Sequence, residues 1–519
     1  MKRLLIAAAA AAITLPAAAQ DRAALRIGVE AGPTSLDPHY ASLITNIAFA
    51  RHVFQPLVEQ DHRQVLRPAI ARSWRVIDDT TWELELDPQA RFSDGRPVTV
   101  EDVAFTIQRA GDVPNSPSSF RYATRPVSAV EAVGPHTLRL RTNGPFPLLL
   151  NQLALVMIVP KQDGLTTAAF NDGSAMIGSG PYRLTSWQPG QPVRYARNDA
   201  FAGTAPAFPT VEFRPIANAG ARVAALQSGD VDLIEIVAPE QFERFRTNPR
   251  FATAQSPSNR LIFLTLDSGR EESPHIRVPD GSPLRNPLRD ARVRRALSIA
   301  INRQALVTRT LQGQAVAAGD LGPAGYFGTS PDLTPPAFDP EGARRLLAEA
   351  GFPRGFTVQV NGPNDRYMND EQVVQAIAQF WTRVGLQASV EVKPRGVWLT
   401  EAAQLRYSVN LAGFSPNPEV LGMLVTQVHS WDTALGMGTA NRGRFSNPEI
   451  DALIQRAGTT MNDAERERLS QEATRRAIRD ETALIPLYFQ VNTWAMRQGV
   501  TYEARTDEMT LAFSAGRAP

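Results

Sequence analysis

The side chains that could do chemistry in this chain are arranged for binding more than for turnover. The six histidines, His39, His52, His62, His136, His275 and His429, are scattered, with no ligand-like pair on a helix face. There is no cysteine, which removes thiolate nucleophiles, thiolate metal sites and disulfides. Gly178-Ser179-Gly180 is not a nucleophile elbow, because Met176 and Ile177 precede it where that motif needs a glycine. Gly436-Met437-Gly438 falls short of a dinucleotide loop, since Asn441 stands in place of the last glycine. What remains is the polar stretch Asn361–Asp370, with Arg366 and Tyr367 in it. It follows a strand-like run and precedes a helix, where cleft loops lie in open α/β sheets. A planar guanidinium fork there suits a carboxylate. An exported hydrolase working through a carboxylate pair stays open as an alternative.

The positioning elements are mixed α and β. Alternating or β-branched runs predict strands at Thr81–Leu86, Thr137–Arg141, Val211–Phe213, Val231–Ile236, Leu261–Leu266, Phe356–Val360 and Ala388–Val392. Pro340–Ala350 reads as a helix, with Asp339 as N-cap and Gly351 past its end. Val293, Leu297, Ala300 and Ile301 mark one buried helical face, and Val373, Ile377, Phe380 and Val384 mark another. Two Pro/Gly-rich stretches, Ser273–Pro287 and Gly319–Pro340, read as linkers or long loops.

The ends and composition set the class. Lys2 and Arg3, the apolar run Leu4–Leu15 and Ala17-Ala18-Ala19 predict a cleaved export signal over residues 1–19. The absence of a following cysteine predicts no lipid anchor. Without Lys2 and Arg3, 52 basic residues face 52 acidic ones, so no basic field exists to hold nucleic acid. A chain of 519 residues exceeds one ordinary core and predicts at least two domains.

Arg91-Phe92-Ser93-Asp94-Gly95-Arg96-Pro97-Val98-Thr99-Val100-Glu101-Asp102-Val103 reads as a turn at Asp94-Gly95, then a helix start with Thr99 as N-cap and Asp102 as the capping-box acid. This string resembles a segment of the family 5 extracytoplasmic solute-binding proteins of ABC importers, the dipeptide-, oligopeptide- and nickel-binding type. Other signposts resemble the family in the same order: Leu36-Asp37-Pro38, Pro56-Leu57-Val58, Ile177-Gly178-Ser179-Gly180-Pro181-Tyr182, Leu226 to Asp232, Val293 to Arg303 and Ala343 to Gly351. Most of these read as turn and packing elements, with Arg294 and Arg303 expected in buried ion pairs.

The resemblance implies a two-lobed α/β periplasmic-binding-protein fold without catalytic activity or cofactor. The first lobe would comprise residues 20–270 plus 485–519, with an extra subdomain at about 63–177. The second would comprise 271–484, and two hinge strands would join them. It also implies a periplasmic monomer that hands a peptide or similar small solute to a permease and ATPase complex. A receptor serving a sensor is the variant reading.

In peptide receptors of the family an aspartate in a Gly-Trp-x-x-Asp segment anchors the ligand's amino group. Here Gly413-Phe414-Ser415-Pro416-Asn417-Pro418-Glu419 has Phe for Trp and lacks the Asp. Either Glu419 substitutes from a shifted position, or the ligand lacks a peptide-like amino terminus; the second is preferred. The resemblance also places Ser35, Leu36 and Tyr488 beside the cleft. The expected ligand set is therefore Ser35, Leu36, Arg366, Tyr367, Phe414, Ser415, Asn417, Glu419 and Tyr488. Trp398 and Trp431 are possible walls.

Overall fold

The computed structural model describes residues 24–279, 283–415 and 419–518. The export signal and Asn417 lie outside the described residues.

Thirteen strands form one sheet among these residues. Its middle is a pair of long antiparallel strands, Phe251–Leu266 and Leu484–Arg497, joined by backbone hydrogen bonds along most of their length. The register shifts between Pro257 and Leu261, and again between Ile262 and Phe263. Each long strand serves several cores. Trp494 and Met496 pack with Leu25, Ile27, Val211 and Phe213. Ile485, Leu487 and Tyr488 pack with Ile262, Leu264, Val358, Val360 and Trp381. Leu261 and Phe263 point to the opposite face and pack with Leu421, Leu424 and Ile454. This is the alternation of a β-strand buried on both faces.

On one side of the long pair lie Leu233–Glu235, Ala24–Val29, Thr210–Pro215, Val193–Arg197 and Tyr182–Ser186. On the other lie Val409–Phe414, Thr357–Pro363, Glu272–Arg277 and Pro283–Arg285. The Ser273–Pro287 stretch is thus largely an edge pair of strands. A separate four-stranded sheet is built from Ala71–Asp78, Thr81–Leu86, Thr137–Thr142 and Val127–Ala132.

Local signals act as their chemistry requires. Thr99 accepts the Asp102 N–H at 3.4 Å, and the Asp102 carboxylate accepts the Thr99 N–H at 2.8 Å, closing the capping box. Trp381 on the helix Asp370–Arg383 is fully buried, and its indole N–H donates to the Leu297 carbonyl at 3.0 Å. Arg294 meets Glu481 at 3.1 Å, as expected. Arg303 departs from expectation. It is buried but has no carboxylate, and donates instead to the Pro486 and Ser298 carbonyls and the Ser298 hydroxyl. Carbonyl oxygens at a helix end replace the counter-ion.

Of the buried histidines His39, His52 and His429, the first two are neutral. His52 donates from Nδ1 to the Ala48 carbonyl at 2.8 Å, so its Nε2 is free to accept the Ala512 N–H at 3.0 Å. His39 places Nε2 on the Met157 carbonyl and Nδ1 on Arg109. Burial pushes both rings down to about 4. The unfolded chain therefore binds more protons than the folded one between pH 6.5 and 4, and stability falls on acidification through that window. Asp320, pushed up to about 6 by burial, works the other way. Glu235, Asp370 and Glu419, also raised by burial, act in the same sense as Asp320, so the histidines are best read directly. We expect NMR titration of their ring protons to show both imidazoles neutral in the folded protein at about pH 6. Protonation of either ring above about pH 6 would contradict the neutral assignment.

Candidate functional site

The parallel strands Thr357–Pro363 and Val409–Phe414 pair only at Val360–Val409 and Asn361–Asn410. Beyond that point the pairing ends, and the loop carrying Arg366 and Tyr367 follows Pro363. Asp370 fixes this loop. Its carboxylate accepts the backbone N–H groups of Arg366 and Tyr367, both at 2.9 Å. The Tyr367 hydroxyl then accepts the Gly413 N–H at 2.8 Å. Gly413 has to be glycine here, since a Cβ would stand 2.7 Å from the Tyr367 ring and from Ile262.

Gly413, Ile262 and Tyr488 form one row across three strands. Tyr367 and Tyr488 belong to the same core. Tyr488 is 1% exposed and its hydroxyl has no hydrogen-bond partner among the described residues. Burial, then the nearby Asp370, raise its ionisation far above the usual range, so it stays protonated and able to donate. The Ser415 hydroxyl is likewise buried and unpartnered among the described residues.

The charges around Tyr367 are mostly positive. The Arg366 guanidinium lies 5.2 Å from the Tyr367 ring centre, half-buried. No described residue gives its side chain a hydrogen bond or ion pair. Burial, then repulsion by Arg260, lower its proton affinity. Arg260 itself is neutralised: its Nε and Nη2 both reach Glu508 at 2.8 Å, and Ser258 adds a hydrogen bond at 3.1 Å. Burial works to raise the Glu508 carboxyl, but Arg260 outweighs this and holds it below the usual range. Glu508 has φ 65, a left-handed backbone rare for a residue with a side chain. Tyr367 meets Trp398 edge-on at 6.4 Å, and Arg442 lies 6.0 Å from the Trp398 ring centre. The Trp398 indole is anchored to Asn410 at 2.6 Å.

Other expected ligand residues are committed elsewhere. Glu419 is 4% exposed and bound bidentately by Arg466, at 3.1 and 2.9 Å. Burial pushes its carboxyl up and Arg466 pulls it back. It is a structural acid and not a free anchor for an ammonium, which corrects the expectation. Ser35 donates to Asn171 at 2.9 Å, the Leu36 N–H reaches the same oxygen, and both residues are buried. Phe414 packs on the opposite face of the sheet, with the core of Leu261 and Phe263. Trp431 is 47% exposed under the Arg444 guanidinium.

Arg260, Arg442 and Glu508 were not singled out from sequence. Arg260 carries one usable signal, a charge opening the apolar run Leu261–Leu266. Glu508, some 248 residues away in the chain, carries none.

A cavity of about 1,040 Å³ lies between Trp74, Trp82 and Leu150 on one wall and Phe327, Glu419 and Arg466 on the other. It reaches Gln64 and Tyr326, which hydrogen-bond to each other and to Asn259. Asn259 and Arg260 are consecutive in the strand Phe251–Leu266, so the cavity edge and the arginine cluster adjoin there. The buried charges lining the cavity, Glu419 and Arg466, already satisfy each other. The Trp82 indole N–H in the cavity wall and the hydroxyls of Tyr488 and Ser415 are buried without a partner among the described residues, and Arg366 has no hydrogen-bonded or ion-paired side chain there.

Residues 65–433 match the family model described as bacterial extracellular solute-binding proteins, family 5 middle. The chain is 27% identical over 478 residues to the glutathione-binding protein GsiB of Escherichia coli, covering 89% of this chain and 88% of that one. Its fold is shared with HbpA2 from Haemophilus parasuis, at TM-score 0.82, 20% identity and coverage of 96% and 100%. It is shared equally with the ABC transporter substrate-binding protein CtaP from Listeria monocytogenes, at TM-score 0.82, 21% identity and coverage of 95% and 99%. With the family's segment matched over most of its length and an α/β fold of the periplasmic-binding type, this chain belongs to the bacterial extracellular solute-binding proteins of family 5.

Proposed function

We propose that the chain is the exported receptor of an ABC importer, holding one small solute between two lobes and releasing it to a membrane permease driven by an ATPase. It carries out no chemistry on that solute. Residues 1–19 act as the cleaved export signal, and the mature chain works as a periplasmic monomer. The lobes are residues 20–270 with 485–519, and 271–484, with about 63–177 as a subdomain of the first. The strands Phe251–Leu266 and Leu484–Arg497 serve as the hinge, and solute favours the closed arrangement.

The observation that carries this reading is Arg366. A half-buried guanidinium with no hydrogen-bonded or ion-paired side chain among the described residues, and with only the Glu508 carboxylate already bound by Arg260 acting on it, is costly unless something pairs with it. Its loop is pinned by Asp370 and Tyr367, so the fork is preorganised for a carboxylate. Ser415 and Tyr488 supply hydroxyls on the same side. Relatives of the chain include a glutathione-binding protein, and a peptide-sized acid fits this arrangement.

Native mass spectrometry of the purified protein, followed by thermal shift with peptides, opines, sugars and metal chelates, tests the proposal. One solute class should stabilise the protein by about 2.7 kcal/mol at a hundredfold excess over Kd. No co-purified ligand and no shift from any class would overturn the receptor reading.

A further inference from the structure

The charge balance around Tyr367 goes further than a single carboxylate. This step rests on the receptor reading above and names the class of solute. Three guanidiniums, those of Arg260, Arg366 and Arg442, act on the Tyr367 hydroxyl. One carboxylate, Glu508, is spent on Arg260 through two hydrogen bonds. Asp370 is occupied by backbone N–H groups, and Asp365 accepts the Arg395 N–H at 2.7 Å. Arg366 and Arg442 thus remain without a hydrogen-bonding or ion-pairing side chain among the described residues. Both are half-buried, and burial lowers the proton affinity of each. They bracket the Tyr367–Trp398 ring pair from its two ends.

We infer that the solute presents two acidic groups to this pole, one to Arg366 and one to Arg442, and no ammonium there. Two bare guanidiniums repel an ammonium and are each relieved by an anion, and paired forks give both charge and direction. The same arithmetic accounts for Glu419 being buried against Arg466: the pole has no free acid because it has no amine to hold.

Isothermal titration of the mature protein with pimelate, glutathione and Ala-Ala tests this. The dicarboxylic probes should bind at least tenfold more tightly than Ala-Ala. Arg366→Gln and Arg442→Gln should each lower the affinity of the better dicarboxylic probe at least tenfold, without lowering the melting temperature of the unliganded protein. Arg442→Lys should retain more affinity than Arg442→Gln. Equal or tighter binding of Ala-Ala would overturn the two-acid inference and leave the receptor reading intact. So would unchanged dicarboxylate affinity in Arg442→Gln alongside a loss in Arg366→Gln. Absence of binding by all three probes, with no ligand in native mass spectrometry, would overturn both.

Discussion

Glu419→Ala should cost about 3 kcal/mol or more of folding stability and leave the affinity for solute nearly unchanged. Arg466 is 4% exposed, and both its Nε and Nη2 donate to Glu419. Removing the acid strands a buried cation, a loss typically of about 3–5 kcal/mol because desolvation is no longer repaid. Asp463, 2.8 Å from Nη1, retains part of the charge compensation, which puts the estimate at the lower end. The ring of Phe327 lies 4.7 Å from the guanidinium. A urea midpoint well below that of the parent protein, with an unchanged slope, is the expected result. The opposite pattern, intact stability and lost solute affinity, would restore Glu419 to the ligand set.

Gly180→Ala is the second large effect, and it comes from crowding. A Cβ at Gly180 would stand 2.7 Å from the Val53 carbonyl carbon, 2.8 Å from its oxygen and 2.9 Å from the His52 oxygen. All three are backbone atoms, so no rotamer change relieves the clash. Val53 also accepts the Gly180 N–H at 2.8 Å, which fixes the approach. Gly178 lies against Val53 and Phe54 in the same way, and its carbonyl accepts the Ser93 N–H at 2.9 Å. The Gly-Ser-Gly-Pro turn is therefore a wedge between the end of the helix Ile44–Val53 and the turn before Thr99. Forcing a methyl group in should cost about 3 kcal/mol, at the upper end for overpacking. A melting temperature within a degree of the parent would show that the wedge can move.

What sequence could reveal divides by range. The Thr99–Asp102 capping box, the Asp339 cap and the Phe356–Val360 strand were legible, because each depends on residues a few positions apart. The structural role of Gly178 and Gly180 was legible as a turn. Its cause was not, since the atoms they touch belong to Val53. The position of the loop bearing Arg366 and Tyr367, between a strand and a helix, was legible. The Arg260–Glu508 pair was not, because nothing in either neighbourhood announces the other. The partner of Glu419 was hidden for the same reason: an acid near a loop looks free until Arg466, 47 residues on, is seen to hold it. Arg303 was misread because carbonyl partners leave no mark in a side-chain pattern.

The two long paired strands have a mechanical consequence. Sliding one along the other would break every rung of the ladder at once, while bending disturbs only the rungs at the fold of the ribbon. The irregular stretch from Pro257 to Phe263 is already missing rungs, so it is the softest place to flex. Asn259 and Arg260 sit inside that stretch, one tied to Gln64 and Tyr326, the other to Glu508. Any rotation there must stretch both ties. If the ribbon is the hinge proposed above, these two polar ties set its stiffness.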